Sequence, residues 1–190
     1  MKATIFDYGA GNLHSLARAM VFLGHQVEVS ADVTQPADLL LLPGVGAFGL
    51  AASRLAPWRA ALRGRIDEGQ AVLGICLGMQ LLFEGSAEDD SAEDRGIGVF
   101  AGRVERLRGR RVPHIGWSRL LPTGQAMYFA HSYVCHPQDA AIVRATAKHE
   151  DEEFPAMVRR ARVGGVQFHP EKSSREGLDL LDQLVTEVVQ

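Results

Sequence analysis

Residues 71–80 read Ala-Val-Leu-Gly-Ile-Cys-Leu-Gly-Met-Gln, an apolar run interrupted by a single cysteine. Residues 71–75 lack helical periodicity and predict a buried strand, whereas the residues after Cys76 predict the start of a helix. Gly74 and Gly78 flank the cysteine, and glycine permits the sharp turn that such a junction needs. The stretch therefore predicts a nucleophile elbow with cysteine in place of serine.

The same alternation of short apolar runs and helical stretches continues on both sides of this segment. Strands are predicted at residues 3–6, 26–29, 39–42 and 71–75. Helices are predicted at residues 13–23, 50–68, 77–84 and 176–189. This alternation predicts an α/β fold with a mainly parallel central sheet and helices on both faces.

The second half of the chain has a different pattern. Residues 99–168 contain short apolar runs separated by proline, glycine and charged residues, at 127–134, 140–145, 157–161 and 163–168. They predict antiparallel strands added to the parallel core. The acidic stretch 85–98 predicts a solvated loop, and a length of 190 residues favours one domain spanning 1–190.

Composition excludes several classes of protein. With 46% hydrophobic and 23% charged residues, the chain is typical of a globular domain rather than a disordered segment. A formal net charge of -3 argues against a nucleic-acid partner. The longest run without a charged or strongly polar residue, residues 39–52, contains one proline and three glycines and is too short for a bilayer, so no membrane association is expected. Two cysteines give no disulfide framework and favour a cytoplasmic location.

A glycine-rich turn at residues 44–49 fits the dinucleotide spacing G-x-G-x-x-G. The next predicted strand ends in Cys76 rather than in an acidic residue, and Leu50 stands where a P-loop requires lysine. Nucleotide binding is therefore disfavoured, and no cofactor is expected. Glycines at a strand-to-helix turn still present backbone N–H groups to an anion or an oxyanion.

The two cysteines lead to different expectations. Cys76 at the start of a helix lies at the positive end of the helix dipole, which favours the nucleophilic thiolate. The alternative for Cys76 is a small buried packing residue, which the flanking glycines argue against. Cys135 lies in an apolar run and is expected to pack. A metal site from His131, Cys135 and His136 is disfavoured because a strand separates such ligands, so no metal is expected.

A cysteine nucleophile needs a base and a group that orients the base. Phe168-His169-Pro170-Glu171 follows an apolar run, and the proline favours an extended conformation at His169. Residues two apart in an extended chain project to the same side, so Glu171 is predicted to hold His169. A solvated surface pair is the alternative; the elbow at Cys76 favours the catalytic interpretation.

Together, the elbow at residues 74–80 and the motif at 168–171 resemble the class I glutamine amidotransferases with a Cys-His-Glu triad. Within that family the chain is similar to the glutaminase subunits of imidazole glycerol phosphate synthases. The matching stretches are YGAGNL at 8–13, PGVGAF at 43–48, HIGW at 114–117 and EKSS at 171–174. The resemblance extends from Asp7 to Ser174. One departure is Ser118, where the family usually has asparagine.

This resemblance implies that the Cys76 thiolate attacks the side-chain amide of L-glutamine, His169 protonates the ammonia, and Glu171 orients His169. Backbone N–H groups of Leu77 and of the Val45-Gly46 turn would hold the oxyanion.

The family analogy also names residues that would bind glutamine. These are Gln80, Glu88, Ser132 and Tyr133, the last two through their backbone.

The resemblance further implies a partner, because ammonia released into water is rapidly protonated. The family's partner is a (β/α)8-barrel synthase subunit that makes imidazole glycerol phosphate and an aminoimidazole carboxamide ribotide in histidine biosynthesis. The implied docking residues are Asn12, Trp117, Tyr128 and Lys172. A core position is the alternative for Trp117.

Three other functions remain open. Another class I glutaminase, serving anthranilate, aminodeoxychorismate, guanylate or pyridoxal phosphate synthesis, is disfavoured by the PGVG and HIGW stretches. A non-catalytic regulatory relative is disfavoured by the intact set Cys76, His169 and Glu171. A cysteine peptidase would cleave peptides rather than free glutamine.

Overall fold

The computed structural model describes residues 1–88 and 95–190. Its strands are Lys2–Phe6 (β1), Gln26–Ser30 (β2), Leu39–Leu42 (β3), Ala71–Ile75 (β4), Phe83–Ser86 (β5), Phe100–Arg106 (β6), His114–Leu121 (β7), Ala126–His131 (β8), Tyr133–Pro137 (β9), Val143–His149 (β10), Glu152–Arg160 (β11) and Val163–Val166 (β12). Its α-helices are Leu13–Phe22 (α1), Phe48–Leu55 (α2), Arg59–Asp67 (α3), Leu77–Leu81 (α4) and Ser174–Val189 (α5). Short 3-10 turns occupy Ala56–Trp58, Ala140–Ile142 and Pro170–Lys172.

A nine-stranded sheet in the order β2-β1-β3-β4-β12-β11-β10-β7-β8 forms the centre of the molecule. The strands from β2 to β12 are parallel, and those from β12 to β8 are antiparallel. A smaller sheet has the order β5-β6-β9. These findings confirm the predicted parallel core with antiparallel strands added from the second half of the chain.

Helices cover both faces of the parallel strands, as predicted. Along β3, Leu39 and Leu41 belong to one apolar cluster and Leu40 and Leu42 to the other, as the alternation of a strand requires. The first cluster includes buried residues of α1 and α5, and the second includes residues of α2 and α4. Because β4 is buried on both faces, its sequence is continuously apolar.

Two predicted helices are wrong in extent. The single helix expected at residues 50–68 is two helices, α2 and α3, separated by a 3-10 turn that contains Pro57, which lacks the N–H of a helical hydrogen bond. The helix expected to reach residue 84 ends at Leu81. There the chain becomes β5, because Phe83 pairs with Phe100 in the smaller sheet.

Three predicted segments also differ in detail. The run at 127–134 is two strands that change sheet at Ser132, and the run at 140–145 begins as a 3-10 turn. The loop expected at 85–98 begins within β5, and its residues 89–94 lie outside the described part of the chain.

Candidate active site

Cys76 lies between β4 and α4, at the carboxyl edge of the parallel sheet. Its backbone adopts φ 54° and ψ -111°, and its N–H donates to the Val166 carbonyl at 2.7 Å. A left-handed φ is costly for a non-glycine residue and is often found at functional sites. The sharp turn points to the predicted nucleophile elbow.

Close backbone packing explains the two glycines of the elbow. A Cβ on Gly78 would lie 1.7 Å from the Leu42 carbonyl oxygen, and a Cβ on Gly74 would lie 2.6 Å from the Gly78 oxygen. The start of α4 is therefore packed against the end of β3 at backbone distance. Any side chain at Gly78 would push the cysteine out of position.

His169 follows β12 and lies next to the cysteine. Its Nδ1 is 2.9 Å from Oε1 of Glu171, and the two side chains are only 4% and 2% exposed. The predicted pairing is present, but its predicted reason is wrong, because Glu171 lies in the 3-10 turn Pro170–Lys172 rather than in an extended chain. The Tyr128 carbonyl accepts from the His169 N–H at 2.9 Å and fixes the backbone.

The surroundings of His169 favour its protonated form. Burial opposes the charge, but the hydrogen bonds and negative charges of Cys76 and Glu171 outweigh burial and raise the pKa of His169 to about 9. Oε2 of Glu171 is buried and, among the described residues, has no hydrogen-bond partner, so the carboxylate pairs with His169 through Oε1. The charged form of the His169 ring is therefore favoured between Cys76 and the Glu171 carboxylate.

A cavity of about 380 Å³ opens at the cysteine. It brings together ten of the residues singled out in the sequence: Val45, Gly46, Cys76, Leu77, Gln80, Glu88, Ser132, Tyr133, His169 and Lys172. Glu171 does not line the cavity but pairs with His169, and Ile115 and His131 are further lining residues. The volume suits a small amino-acid substrate.

The glycine turn lines the same cavity as His169. Gly46 has φ +100°, and Val45 is 45% exposed. The buried Tyr8 hydroxyl donates to the Pro43 carbonyl at 2.6 Å and anchors the start of the turn. Glu88 accepts from the Phe48 N–H at 2.7 Å, so its carboxylate caps α2 just after the turn.

The side-chain amides of Gln80 and Gln167 form a buried pair, and Gln167 was not predicted from the sequence. Gln80 Nε2 donates to the Tyr133 carbonyl and to Oε1 of Gln167, both at 3.1 Å. Gln167 Nε2 lies 3.7 Å from the Cys76 sulfur. The only sequence signal for Gln167 is a polar residue at the end of an apolar run, directly before Phe168.

Three of the four predicted docking residues lie on one side of the site. Trp117 is 53% exposed, so a core position for this residue is wrong, and its ring meets Tyr128 edge-on at 6.0 Å. Ile115, two residues earlier on β7, is 65% exposed, and Lys172 is exposed at the cavity. Asn12 caps α1 by accepting from the Ser15 N–H at 3.4 Å.

The structure also bears on Cys135 and on the expectations about metal ions and membranes. Cys135 is fully buried, and burial raises the pKa of its thiol, which suits a packing residue. Within residues 1–88 and 95–190, no group of His, Cys, Asp or Glu side chains is arranged to hold a metal ion. Over the same residues, no helix is both long and apolar enough to cross a membrane.

The fold and the site together define a class of enzyme. Residues 4–188 match the family described as "Glutamine amidotransferase class-I", and the chain belongs to this family. The fold is also similar to that of the solved structure "Crystal structure of glutamine amidotransferase", with a TM-score of 0.78 at 21% identity over 97% of this chain and 98% of the other.

Two relatives within the family are similar to this chain over nearly its whole length. The chain is 42% identical to the imidazole glycerol phosphate synthase subunit HisH of Pyrococcus furiosus, over 95% of this chain and 96% of the relative. It is also 42% identical to the subunit of the same name from Aquifex aeolicus, over 96% of this chain and 95% of the relative.

Proposed function

We propose that this chain is the glutaminase subunit of an imidazole glycerol phosphate synthase. It hydrolyses L-glutamine in the cytoplasm and passes the ammonia to a (β/α)8-barrel subunit of the histidine pathway. The observation that carries the proposal is that Cys76, on a sharp turn, lines one cavity with His169, whose ring is paired with Glu171. One glutaminase domain would span residues 1–190.

The reaction begins with the thiolate. Cys76 Sγ attacks the side-chain carbonyl carbon of glutamine and forms a C–S bond, while the carbonyl oxygen becomes an oxyanion. The His169 imidazolium donates its proton to the amide nitrogen, the C–N bond breaks, and ammonia leaves. A γ-glutamyl thioester and a neutral imidazole remain, with Glu171 still orienting the ring.

Water completes the cycle. Neutral His169 accepts a proton from the attacking water, the C–S bond breaks, and glutamate leaves. Thiolate and imidazolium are thereby restored. The net reaction consumes one water and one glutamine and yields one glutamate and one ammonia.

Backbone N–H groups would stabilise the oxyanion. Leu77 and the Val45-Gly46 turn line the same cavity as the Cys76 sulfur, which supports this role. The positive φ of Gly46 permits the turn to change its peptide orientation at low cost. We infer that the partner favours the orientation that completes the oxyanion hole.

Glutamine would be held by the other walls of the cavity. Ser132 and Tyr133 would bind the α-amino and α-carboxylate groups through their backbone. Gln80 would act mainly through Tyr133, because its amide nitrogen already donates to that carbonyl. Glu88 stays a candidate for the α-amino group, with its carboxylate at the start of α2.

The barrel partner would cover the exposed side of the cavity. Trp117, Tyr128 and Lys172 supply two aromatic rings and a positive charge there, and Asn12 lies at the start of α1, on the carboxyl edge of the sheet. An exposed tryptophan is the kind of side chain that anchors a protein interface. Closing this side would keep ammonia from bulk water.

Glutamate release from L-glutamine tests the proposal. We expect strong stimulation when the cognate barrel subunit and its ribotide substrate are added, and none in Cys76→Ala. Glutamine cleavage without an effect of the barrel would indicate a glutaminase for another synthase. Binding to the barrel without any turnover would indicate a regulatory subunit.

Interface variants test the docking face separately. Trp117→Ala should weaken stimulation by the barrel by about tenfold or more, as expected for an aromatic anchor. Phe22→Ala is the matched control, because Phe22 is 66% exposed at the end of α1 that points away from the carboxyl edge. Equal effects of the two variants would contradict the assigned face.

A further inference from the structure

A buried series of hydrogen bonds leads from β7 to the wall of the cavity. Ser118 Oγ lies 3.0 Å from His114 Nε2, and His114 Nδ1 lies 3.1 Å from His131 Nε2. His131 Nδ1 in turn lies 3.0 Å from the Tyr133 carbonyl oxygen. The two histidines are only 3% and 6% exposed, and neither takes part in the proposed reaction.

The Tyr133 carbonyl at one end of the series determines which atom donates in each of the three hydrogen bonds. A carbonyl only accepts, so His131 carries its hydrogen on Nδ1. Burial lowers the pKa of His131 to about 3 and that of His114 to about 4, so both rings are neutral near pH 7.

A neutral imidazole has one N–H and one acceptor nitrogen. His131 Nε2 therefore accepts from His114 Nδ1–H, and His114 Nε2 accepts from the Ser118 hydroxyl. All three hydrogen bonds point toward Tyr133.

The series ends where the backbone changes sheet. β8 ends at His131 in the large sheet, and β9 begins at Tyr133 in the small one. The Tyr133 carbonyl also accepts from Gln80 Nε2 at 3.1 Å, and the Ser132 carbonyl accepts from the Leu107 N–H at 2.9 Å. Donors from three separate parts of the chain thus fix both peptides at the cavity.

We propose that Ser118, His114 and His131 are positioning residues that hold the Ser132-Tyr133 backbone in the geometry that binds glutamine. The inference rests on the proposed function, since it concerns the same cavity. In the proposed reaction, the three residues touch neither the reacting amide nor the thiolate. Their loss should therefore raise the KM for glutamine and leave kcat nearly unchanged.

Steady-state kinetics of the complex with the barrel subunit test this role. His114→Leu removes the donor to His131 and should raise KM about two- to tenfold, the effect of one net hydrogen bond. Ser118→Ala should also raise KM. Ser118→Asn should keep KM near the wild-type value, because the asparagine amide can also donate to His114 Nε2. An unchanged KM, or a matching fall in kcat with KM constant, would overturn the proposal.

Phe154→Leu is the matched packing control. The Phe154 ring lies 5.0 Å from the His131 ring and 6.0 Å from the His114 ring, yet it makes no hydrogen bond to either. This variant should lower thermal stability without raising KM. If Phe154→Leu raised KM as much as His114→Leu, the effect of His114→Leu would come from lost packing, and the proposal would be overturned.

The tautomers give a readout that needs neither activity nor a variant. Side-chain ¹⁵N spectra of the wild-type protein at pH 7 should show His114 and His131 as neutral rings protonated at Nδ1. Protonation at Nε2 in either ring would overturn the series even if all variants failed to fold. Failure of the proposed function would instead appear as a wild-type complex that does not hydrolyse glutamine.

Discussion

At the scale of single residues, His169 links the fold to the chemistry. Its pKa of about 9 lies above the ordinary value of 6.5 because Cys76 and Glu171 outweigh burial. A raised pKa in the folded state stabilises the fold fully below about pH 6.5, and this stabilisation is lost as pH rises through about 9. We expect the unfolding free energy to fall over that interval.

NMR titration of the His169 ring measures this directly. Wild type should titrate near pH 9, and both Glu171→Gln and Cys76→Ala should lower the pKa of His169, because each removes a negative partner. A His169 ring that titrates near pH 6.5 in all three proteins would contradict the charge arrangement.

Residue-level prediction from sequence succeeded where a local motif carried the chemistry. Cys76 between two glycines and His169 before Pro170 stand in short, recognisable patterns. Gln167 was missed because its partner, the Cys76 sulfur, is 91 residues away in sequence. The series from Ser118 to Tyr133 was missed for the same reason, since pairing of β7 with β8 brings His114 opposite His131.

At the scale of elements, the packing of α4 on β3 sets the position of the nucleophile. Gly78→Ala places a methyl group against the Leu42 carbonyl and should destabilise the protein by about 3 kcal/mol or more. Gly64→Ala in α3 is the control. A Cβ there meets nothing within 4 Å, so it should stabilise the protein by about 0.5–1 kcal/mol.

Thermal and denaturant unfolding of the two variants check this prediction. A Gly78→Ala protein as stable as wild type would show that α4 does not approach β3 at backbone distance.

Among the elements, the parallel strands were predictable because burial on both faces leaves a continuous apolar run. The extent of α4 was not, since residues 82–84 are compatible with a helix until β5 pairs with β6. Pro57 is visible in the sequence, yet the prediction extended the helix across it. The apolar residues on both sides of Pro57 hid the break between α2 and α3.

At the scale of the whole molecule, the carboxyl edge of the parallel strands collects the chemistry. The elbow after β4, the glycine turn after β3 and His169 after β12 come from distant parts of the chain and meet at one cavity. Ligands of open α/β sheets bind at this edge. The exposed Ile115 lines this cavity, and the exposed Trp117 follows it on the same face of β7, which connects the proposed partner face to the site.

Exposure of this face was beyond sequence reasoning. Trp117 and Ile115 lie on one face of β7, and the same residues would be core if a helix covered that face. Only the tertiary arrangement decides between a buried and an open sheet surface. The overall class of fold, by contrast, followed from the order of strands and helices along the chain.

The covalent state of Cys76 during turnover tests the proposed thioester mechanism directly. Acid-quenched samples of the barrel complex with glutamine are analysed by intact mass and peptide mapping. We predict one γ-glutamyl group on Cys76 in wild type and none in Cys76→Ala, with Cys135 unmodified in both. Glutamate release without any adduct on Cys76, or with undiminished rate in Cys76→Ala, would contradict the thioester mechanism.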